Sequence, residues 1–137
     1  MLYKENTLTY AEYCALRLSV NWTNFDEAQT KIALARGLYS VTAVENGQPV
    51  GMARLVGDGV YDMVVDVLVR PDCQGRGIGS ELVRRLLQFA EHGTAPGGHT
   101  IVLLAAEPGK EPFYTKLGFH AIPAGGCGAG MMKIFRK

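Results

Sequence analysis

A glycine-rich run stands between a strand-like segment and a strongly amphipathic helical segment, and this junction constrains the fold most. Residues 74–79 read Gln-Gly-Arg-Gly-Ile-Gly. Before them, residues 60–70 form an apolar run that Pro71 ends, because proline cannot continue a strand ladder. After them, apolar residues recur on one helical stripe: Ile78, Leu82, Leu86, Phe89 and Ala90. Free N–H groups converge where such a helix begins, so the junction predicts an anion site.

The first third of the chain has the pattern of two helices. Residues 9–12 form a capping box, which predicts a first helix that runs to about Ser19. Asn24 or Asp26 can cap a second helix, for which Gly37 would supply a left-handed stop.

From residue 38 the period of the apolar pattern changes to two, which predicts strands over residues 38–45, 49–56 and 60–70. Asn46-Gly47 and Asp58-Gly59 supply the turns between them. We therefore expect three antiparallel strands in a meander.

Behind the amphipathic helix, the pattern predicts a strand over residues 99–105, a helix over 112–117 and two closing strands over 119–123 and 130–135. The order of elements is then ααβββαβαββ. The fold class is mixed α+β, with a central mixed sheet and helices on both faces.

Length and charge narrow the class of protein. A chain of 137 residues can bury a sufficient core, so a single domain over residues 1–137 is expected. The net charge of +1 provides no basic surface for nucleic acid. No apolar run approaches the roughly 20 residues of a membrane span, and no signal-peptide pattern is present. We expect a cytoplasmic protein without a membrane partner, and a homodimer is left open.

The cysteines Cys14, Cys73 and Cys127 are odd in number and widely spaced, and the histidines are scattered. Neither a disulfide framework nor a zinc site is expected from this spacing, and no metal is implied.

Other phosphate loops fit residues 74–79 less well. A Walker loop needs a lysine before its Ser or Thr, and Gly79 is followed by Ser80 and Glu81. A dinucleotide fingerprint needs GxGxxG, and here the third glycine comes one residue early.

Two segments resemble the GNAT superfamily of N-acetyltransferases. Residues 67–79 look like its acetyl-CoA signature, whose core Q/R-x-x-G-x-G/A is matched by Gln74, Gly77 and Gly79. Residues 112–119, Pro-Phe-Tyr-Thr-Lys-Leu-Gly-Phe, are similar to the family's late helix–strand segment. Residues 1–37 match only in general character.

The resemblance implies a GNAT-type acyl-CoA N-acyltransferase fold and acetyl-CoA as the acyl donor. The pyrophosphate is expected on backbone amides of residues 75–80. The pantetheine arm is expected along residues 67–69, in a splay between that strand and the strand at 101–105. The cofactor-binding residues are then Val67, Leu68, Val69, Gln74, Gly75, Arg76, Gly77, Ile78, Gly79 and Ser80.

Tyr114 occupies the position that in the family commonly protonates the departing CoA thiolate. The sequence alone favours a core aromatic, which packs a short helix together with Phe113 and Leu117. The resemblance favours a catalytic acid.

A general base must accept a proton from the attacking amine, and Asp62 and Asp66 are the carboxylates on the central strand. Asp66 is the better candidate, because it interrupts an apolar run and so needs a partner or a cleft. Two alternatives stay open: Asp66 bonds groups at a bulge beside the cofactor, and water is the base.

The resemblance thus implies direct transfer of an acetyl group from acetyl-CoA to a primary amine, on a small molecule or on a protein. Trp22, Phe25, Tyr61 and Cys127 are candidates for the acceptor pocket. Cys127 lies in a glycine-rich loop without a neighbouring histidine, which argues against an acyl-cysteine. A regulatory module that binds acyl-CoA without turnover is the alternative.

Overall fold

The computed structural model describes all 137 residues, which form two compact units, residues 1–104 and residues 105–137. None of the helices is long and apolar enough to cross a membrane.

The first unit is a five-stranded mixed sheet with helices on both faces. Its strands are β1 (Leu2–Glu5), β2 (Tyr39–Glu45), β3 (Gln48–Gly57), β4 (Tyr61–Val69) and β5 (Ile101–Leu103), in that spatial order. The first four strands are antiparallel, and β5 is parallel to β4. The helices are α1 (Tyr10–Ser19), α2 (Glu27–Arg36) and α3 (Ile78–Gly93), and α3 forms the crossover from β4 to β5. The predicted fold class is confirmed.

Local signals define most of these elements. At the start of α1, the Thr9 hydroxyl accepts from the Glu12 N–H and the Glu12 carboxylate accepts from the Thr9 N–H, each at 3.2 Å, which confirms the capping box. Asn46 and Gly47 both have positive φ, 51° and 75°, as the two-residue turn between β2 and β3 requires. The predicted meander is therefore confirmed.

The core lies on both faces of the sheet. Met52 on β3 packs with Tyr13 and Leu16 of α1. A Cβ added to the neighbouring residue Gly51 would lie on the other face of the sheet, 3.3 Å from Cδ1 of Leu82 on α3. Successive residues of β3 therefore face α1 on one side of the sheet and α3 on the other.

Several predicted details differ. Gly37 caps α2 with φ of −59°, so the predicted left-handed stop is wrong. Strand β1 has no counterpart in the predicted order. Residues 119–123 and 130–135 form no strand. Their apolar alternation suits a strand, but a strand forms only when another segment accepts its backbone hydrogen bonds, and neither segment has such a partner.

The second unit contains the short helix α4 (Glu111–Thr115) and a tight turn at residues 124–127.

Candidate functional site

The start of α3 forms a cradle of backbone amides. Gly75 and Gly77 have φ of 77° and 80°, a backbone conformation that residues other than glycine rarely adopt. Gly77 caps the helix without a side-chain hydrogen bond, and the first intrahelical bond joins the Glu81 N–H to the Gly77 carbonyl at 3.1 Å. The N–H groups of residues 78–80 therefore have no intrahelical acceptor, and the positive end of the 16-residue helix dipole lies there. This end of α3 is suited to an anion.

The third glycine of the run differs from the first two in its backbone conformation. Gly79 lies within the first turn of α3 and does not take positive φ. Only Gly75 and Gly77 need the conformational freedom of glycine. A Cβ at either of these two positions would meet nothing within 4 Å, so the space over the cradle is open.

The two polar side chains of the loop bond protein groups. Gln74 Nε2 donates to the Val69 carbonyl at 2.9 Å. Arg76 donates to both carboxylate oxygens of Glu45, at 2.9 and 3.1 Å. The loop is thus tied to the end of β4 and to the β2–β3 turn.

One edge of β4 is open beside the cradle. β5 pairs with β4 only from Tyr61 to Met63, so the rest of β4 has no partner strand on that side. The Arg70 N–H donates to the carbonyl of Val50 on β3 at 2.8 Å, so the peptide groups of Arg70 face β3. Because peptide groups alternate along a strand, those of Val69 and Val67 face the open side. An extended, amide-bearing group can pair with such an edge.

A bulge interrupts β4 halfway along this edge. Met52 and Arg54 of β3 lie two residues apart, but their partners Leu68 and Val65 lie three residues apart, so β4 carries one extra residue. Asp66 lies in the bulge with φ of 54°.

The Asp66 carboxylate accepts hydrogen bonds from three side chains. Arg17 Nη1 donates to Oδ1 at 2.6 Å, and Tyr13 Oη and Arg54 Nε donate to Oδ2 at 3.0 and 2.9 Å. The side chains of Asp66, Arg17 and Arg54 are only 9%, 9% and 11% exposed. We call Tyr13, Arg17, Arg54 and Asp66 the Asp66 cluster.

The aromatic residues proposed for the acceptor pocket lie partly around this cluster. The Arg17 guanidinium carbon lies 5.2 Å from the Trp22 ring centre and 4.6 Å from that of Phe25. Phe25 is 60% exposed, and Tyr61, at the start of β4, is 61% exposed. Trp22 and Phe25 are thus brought together, whereas Tyr61 lies on another element.

The other strand carboxylate, Asp62, is buried near the start of β4, beside the β3–β4 turn. Its Oδ1 accepts from the Gly59 N–H at 2.9 Å. Asp62 therefore stabilises the β3–β4 connection.

In the second unit, Tyr114 packs edge-to-face against Phe113 and Phe119, with ring centres 4.9 and 5.9 Å apart. Burial raises the pKa of its phenol, and the charge of Glu107 raises the pKa further. The hydroxyl therefore keeps its proton throughout the neutral range.

Cys127 closes a tight turn. Its N–H donates to the Ala124 carbonyl at 2.9 Å, and the Ala124 N–H donates back at 3.1 Å. Gly125 and Gly126 between them have φ of 57° and 84°. The Cys127 side chain is exposed.

Sequence reasoning missed Tyr13, Arg17 and Arg54. The available signal was the carboxylate within an apolar strand, which requires partners, but the sequence does not say which cations supply them. The chain has no group of three or more His, Cys, Asp or Glu residues placed to hold a metal ion.

A helix N-terminus beside an open strand edge is suited to an extended ligand that carries an anionic group. Residues 6–119 match the Acetyltransferase (GNAT) family, and the chain belongs to this family.

Similar proteins agree with this assignment. A GNAT family acetyltransferase from Streptococcus pneumoniae TIGR4 superimposes with a TM-score of 0.82 and 30% identity, over 99% of this chain and 98% of that one. A predicted acetyltransferase from Clostridium acetobutylicum, solved with acetyl-CoA, shares the fold with a TM-score of 0.70 at 18% identity, over 89% and 91% of the two chains.

Among proteins of described activity, the chloroplastic serotonin N-acetyltransferase 2 of Oryza sativa subsp. japonica is 42% identical over 78 residues. The match covers 56% of this chain and 37% of the rice protein. The chain thus spans little more than a third of the length of that relative.

Proposed function

We propose that the protein transfers the acetyl group of acetyl-CoA to a primary amine. The observation that carries this proposal is the N-terminus of α3, which has no side-chain cap and follows the open edge of β4 after a short loop. Family membership supports the same reaction class.

The residues present fit acetyl-CoA. The amides of residues 78–80, with open space over Gly75 and Gly77, suit a pyrophosphate. The peptide groups of Val67 and the N–H of Val69, which face the open edge, suit the amides of a pantetheine arm, whereas the Val69 carbonyl already accepts from Gln74. When bound, acetyl-CoA supplies an activated thioester.

The chain contributes positioning and polarisation. A backbone N–H on the open edge of β4, close to the bulge, would donate to the thioester oxygen as negative charge develops there. The acceptor nitrogen forms the new C–N bond while the C–S bond breaks. The leaving thiolate must then gain a proton, and the acceptor nitrogen must lose one.

Tyr114 is the proposed proton donor to the thiolate. Its place in the segment 112–119 supports this role, and a tyrosine phenol carries its proton at neutral pH, as a donor must.

Asp66 is less suited to accept the proton of the amine. Its carboxylate is engaged by Tyr13, Arg17 and Arg54, so proton uptake would disrupt bonds to two cations. We assign proton removal to water and a positioning role to Asp66.

An arylalkylamine is the acceptor class we favour. The rice relative is named for serotonin, and the exposed Phe25 ring, which contacts the same Arg17 guanidinium as the Trp22 ring, offers an aromatic surface.

The test is an amine screen with acetyl-CoA, scored by mass detection of the acetylated product and by release of CoA thiol. Tryptamine-like amines, polyamines and a lysine peptide form its arms. Acetylation of the arylalkylamines above the other arms is expected. CoA binding without any product would instead favour the regulatory module, and no CoA binding at all would refute the cofactor assignment.

A further inference from the structure

The bulge in β4 places a non-glycine residue in an uncommon backbone conformation. Asp66 has φ of 54°, a region that is sparsely populated by residues with a side chain. Asp is among the few residues that tolerate it, usually through local hydrogen bonds of the short side chain. Here the carboxylate bonds residues that are 12, 49 and 53 positions away in sequence. The conformation of the bulge is therefore held by the tertiary structure.

The Asp66 cluster holds this carboxylate from two elements. Tyr13 and Arg17 reach it from α1, and Arg54 reaches it along β3. Arg54 adds a second contact, Nη2 to Oδ2 at 2.9 Å. A carboxylate fixed at both oxygens by planar guanidinium groups has little freedom to rotate, so the φ of its own residue is restrained as well.

Arg17 extends the restraint toward the connection between α1 and α2. Its Nη2 donates to the Thr23 carbonyl at 2.7 Å while its Nη1 bonds Asp66. The Trp22 and Phe25 rings lie against the same guanidinium. One buried side chain thus connects the bulge of β4 to residues 22–25.

We propose that Tyr13, Arg17 and Arg54 are positioning residues of the transfer reaction, which hold the β4 bulge through Asp66 so that the open-edge amides meet the thioester oxygen. Arg17 also bonds the Thr23 carbonyl and contacts the Trp22 and Phe25 rings, so it connects the bulge to residues proposed for the acceptor pocket. The inference rests on the proposed function, because it assigns the cluster to the alignment of that same site.

A matched pair of Tyr→Phe substitutions tests the proposal. Tyr13 and Tyr39 are both buried, and each hydroxyl donates to a carboxylate, Asp66 at 3.0 Å and Glu5 at 2.6 Å. Tyr13→Phe keeps the ring that packs on Met52, so the fold should persist. We expect kcat, counted per CoA-binding site, to fall about 10-fold in Tyr13→Phe, which is the lower end of what the loss of one hydrogen bond to a charged group predicts. CoA affinity should change less than 2-fold, and Tyr39→Phe should match the wild type in both measurements.

Arg17→Lys is the second variant. A lysine keeps the charge but has one nitrogen, which cannot bond Asp66 and Thr23 in the way that the guanidinium fork does. A larger loss of kcat than in Tyr13→Phe is expected, with CoA affinity again preserved. Arg84→Lys, on the exposed face of α3, is the control for the substitution itself.

Equal kcat in Tyr13→Phe and Tyr39→Phe would overturn the proposal, and so would losses of kcat and CoA affinity in parallel. If the wild type acetylates no amine, the proposed function fails separately. The positioning claim is then decided by amide chemical shifts of residues 65–69 with CoA bound. These shifts should move in Tyr13→Phe and not in Tyr39→Phe, and unmoved shifts would refute the claim.

Discussion

Arg76 in the loop before α3 forms a bidentate ion pair with Glu45 at the end of β2, with N–O distances of 2.9 and 3.1 Å. The pair lowers the pKa of the Glu45 carboxyl and raises that of the Arg76 guanidinium. It places a negative charge beside the amide cradle, where the proposed ligand is itself an anion.

Glu45→Gln should therefore strengthen CoA binding. The substitution removes a repulsive charge and frees Arg76 to face the phosphates, so we expect a gain of about 2- to 5-fold at low salt, which shrinks as salt screens the interaction. Arg76→Ala should weaken binding. Calorimetry at two salt concentrations measures both effects. Weaker binding in Glu45→Gln would mean that the ion pair preorganises the loop.

The same ion pair predicts a direction for the pH dependence. The pKa of Glu45 is lower in the folded protein, so its contribution to stability is present above the unfolded pKa and is lost as the pH falls through the folded value. Because both side chains are partly exposed, the effect should be small. Urea unfolding between pH 3 and 6 should show a slightly smaller acid loss in Glu45→Gln than in the wild type.

Gly77→Val should abolish CoA binding in a folded protein. Valine at φ of 80° is strained by about 1–3 kcal/mol, and its branched side chain would occupy the open space over the amides. Gly47→Val is the matched control, because Gly47 has φ of 75° and equally open surroundings in the β2–β3 turn. The two variants should lose similar stability in thermal melts, and only Gly77→Val should lose CoA affinity. Equal CoA affinities in the two variants would show that residues 74–79 do not bind CoA.

Asp66→Asn separates a general base from a positioning residue. Asparagine tolerates positive φ but leaves two nearly buried arginines without a counter-charge, which should cost about 3–5 kcal/mol of unfolding free energy. Asp72→Asn, which breaks an exposed pair with Arg70, should cost at most about 1 kcal/mol.

The kinetics of the same variant complete this test. A positioning role predicts that kcat per CoA-binding site falls while the pH profile keeps its shape. Loss of the acidic limb of the profile together with nearly all turnover would identify Asp66 as the base.

The parts of the fold that the sequence predicts are those governed by local interactions. The capping box of Thr9 and Glu12, the Asn46-Gly47 turn and the apolar stripe of α3 each operate within a few residues. The cradle was predictable for the same reason, because a glycine loop before a helix exposes amides whatever the rest of the chain does.

The missed features depend on distant partners. β1 exists because Tyr3 and its neighbours pair with β2 about forty residues later, and nothing in the composition of residues 2–5 indicates that pairing. Asp66 was recognised as a carboxylate in need of partners, but Arg17 and Arg54 become its partners only when α1 packs on the sheet. Residues 130–135 show the converse, because a strand-like pattern without a pairing partner remained irregular.

Tyr114→Phe should lower turnover and leave CoA affinity nearly unchanged. The substitution deletes one hydroxyl and keeps the ring that packs edge-to-face on Phe113 and Phe119. A positioned acid typically contributes about 10²- to 10⁴-fold to the rate, whereas a core tyrosine that loses its hydroxyl should change kcat by no more than a few fold.

The raised pKa of the Tyr114 phenol sharpens this prediction. Burial and the charge of Glu107 favour the neutral form in the folded protein, so the alkaline loss of this acid should lie at a higher pH than the titration of a free tyrosine phenol. Phe119→Leu, which removes one neighbouring ring and keeps the hydroxyl, is the control for packing. Single-turnover measurement with a working amine isolates chemistry from product release. A wild-type single-turnover rate in Tyr114→Phe would show that Tyr114 only packs the helix and that water protonates the thiolate.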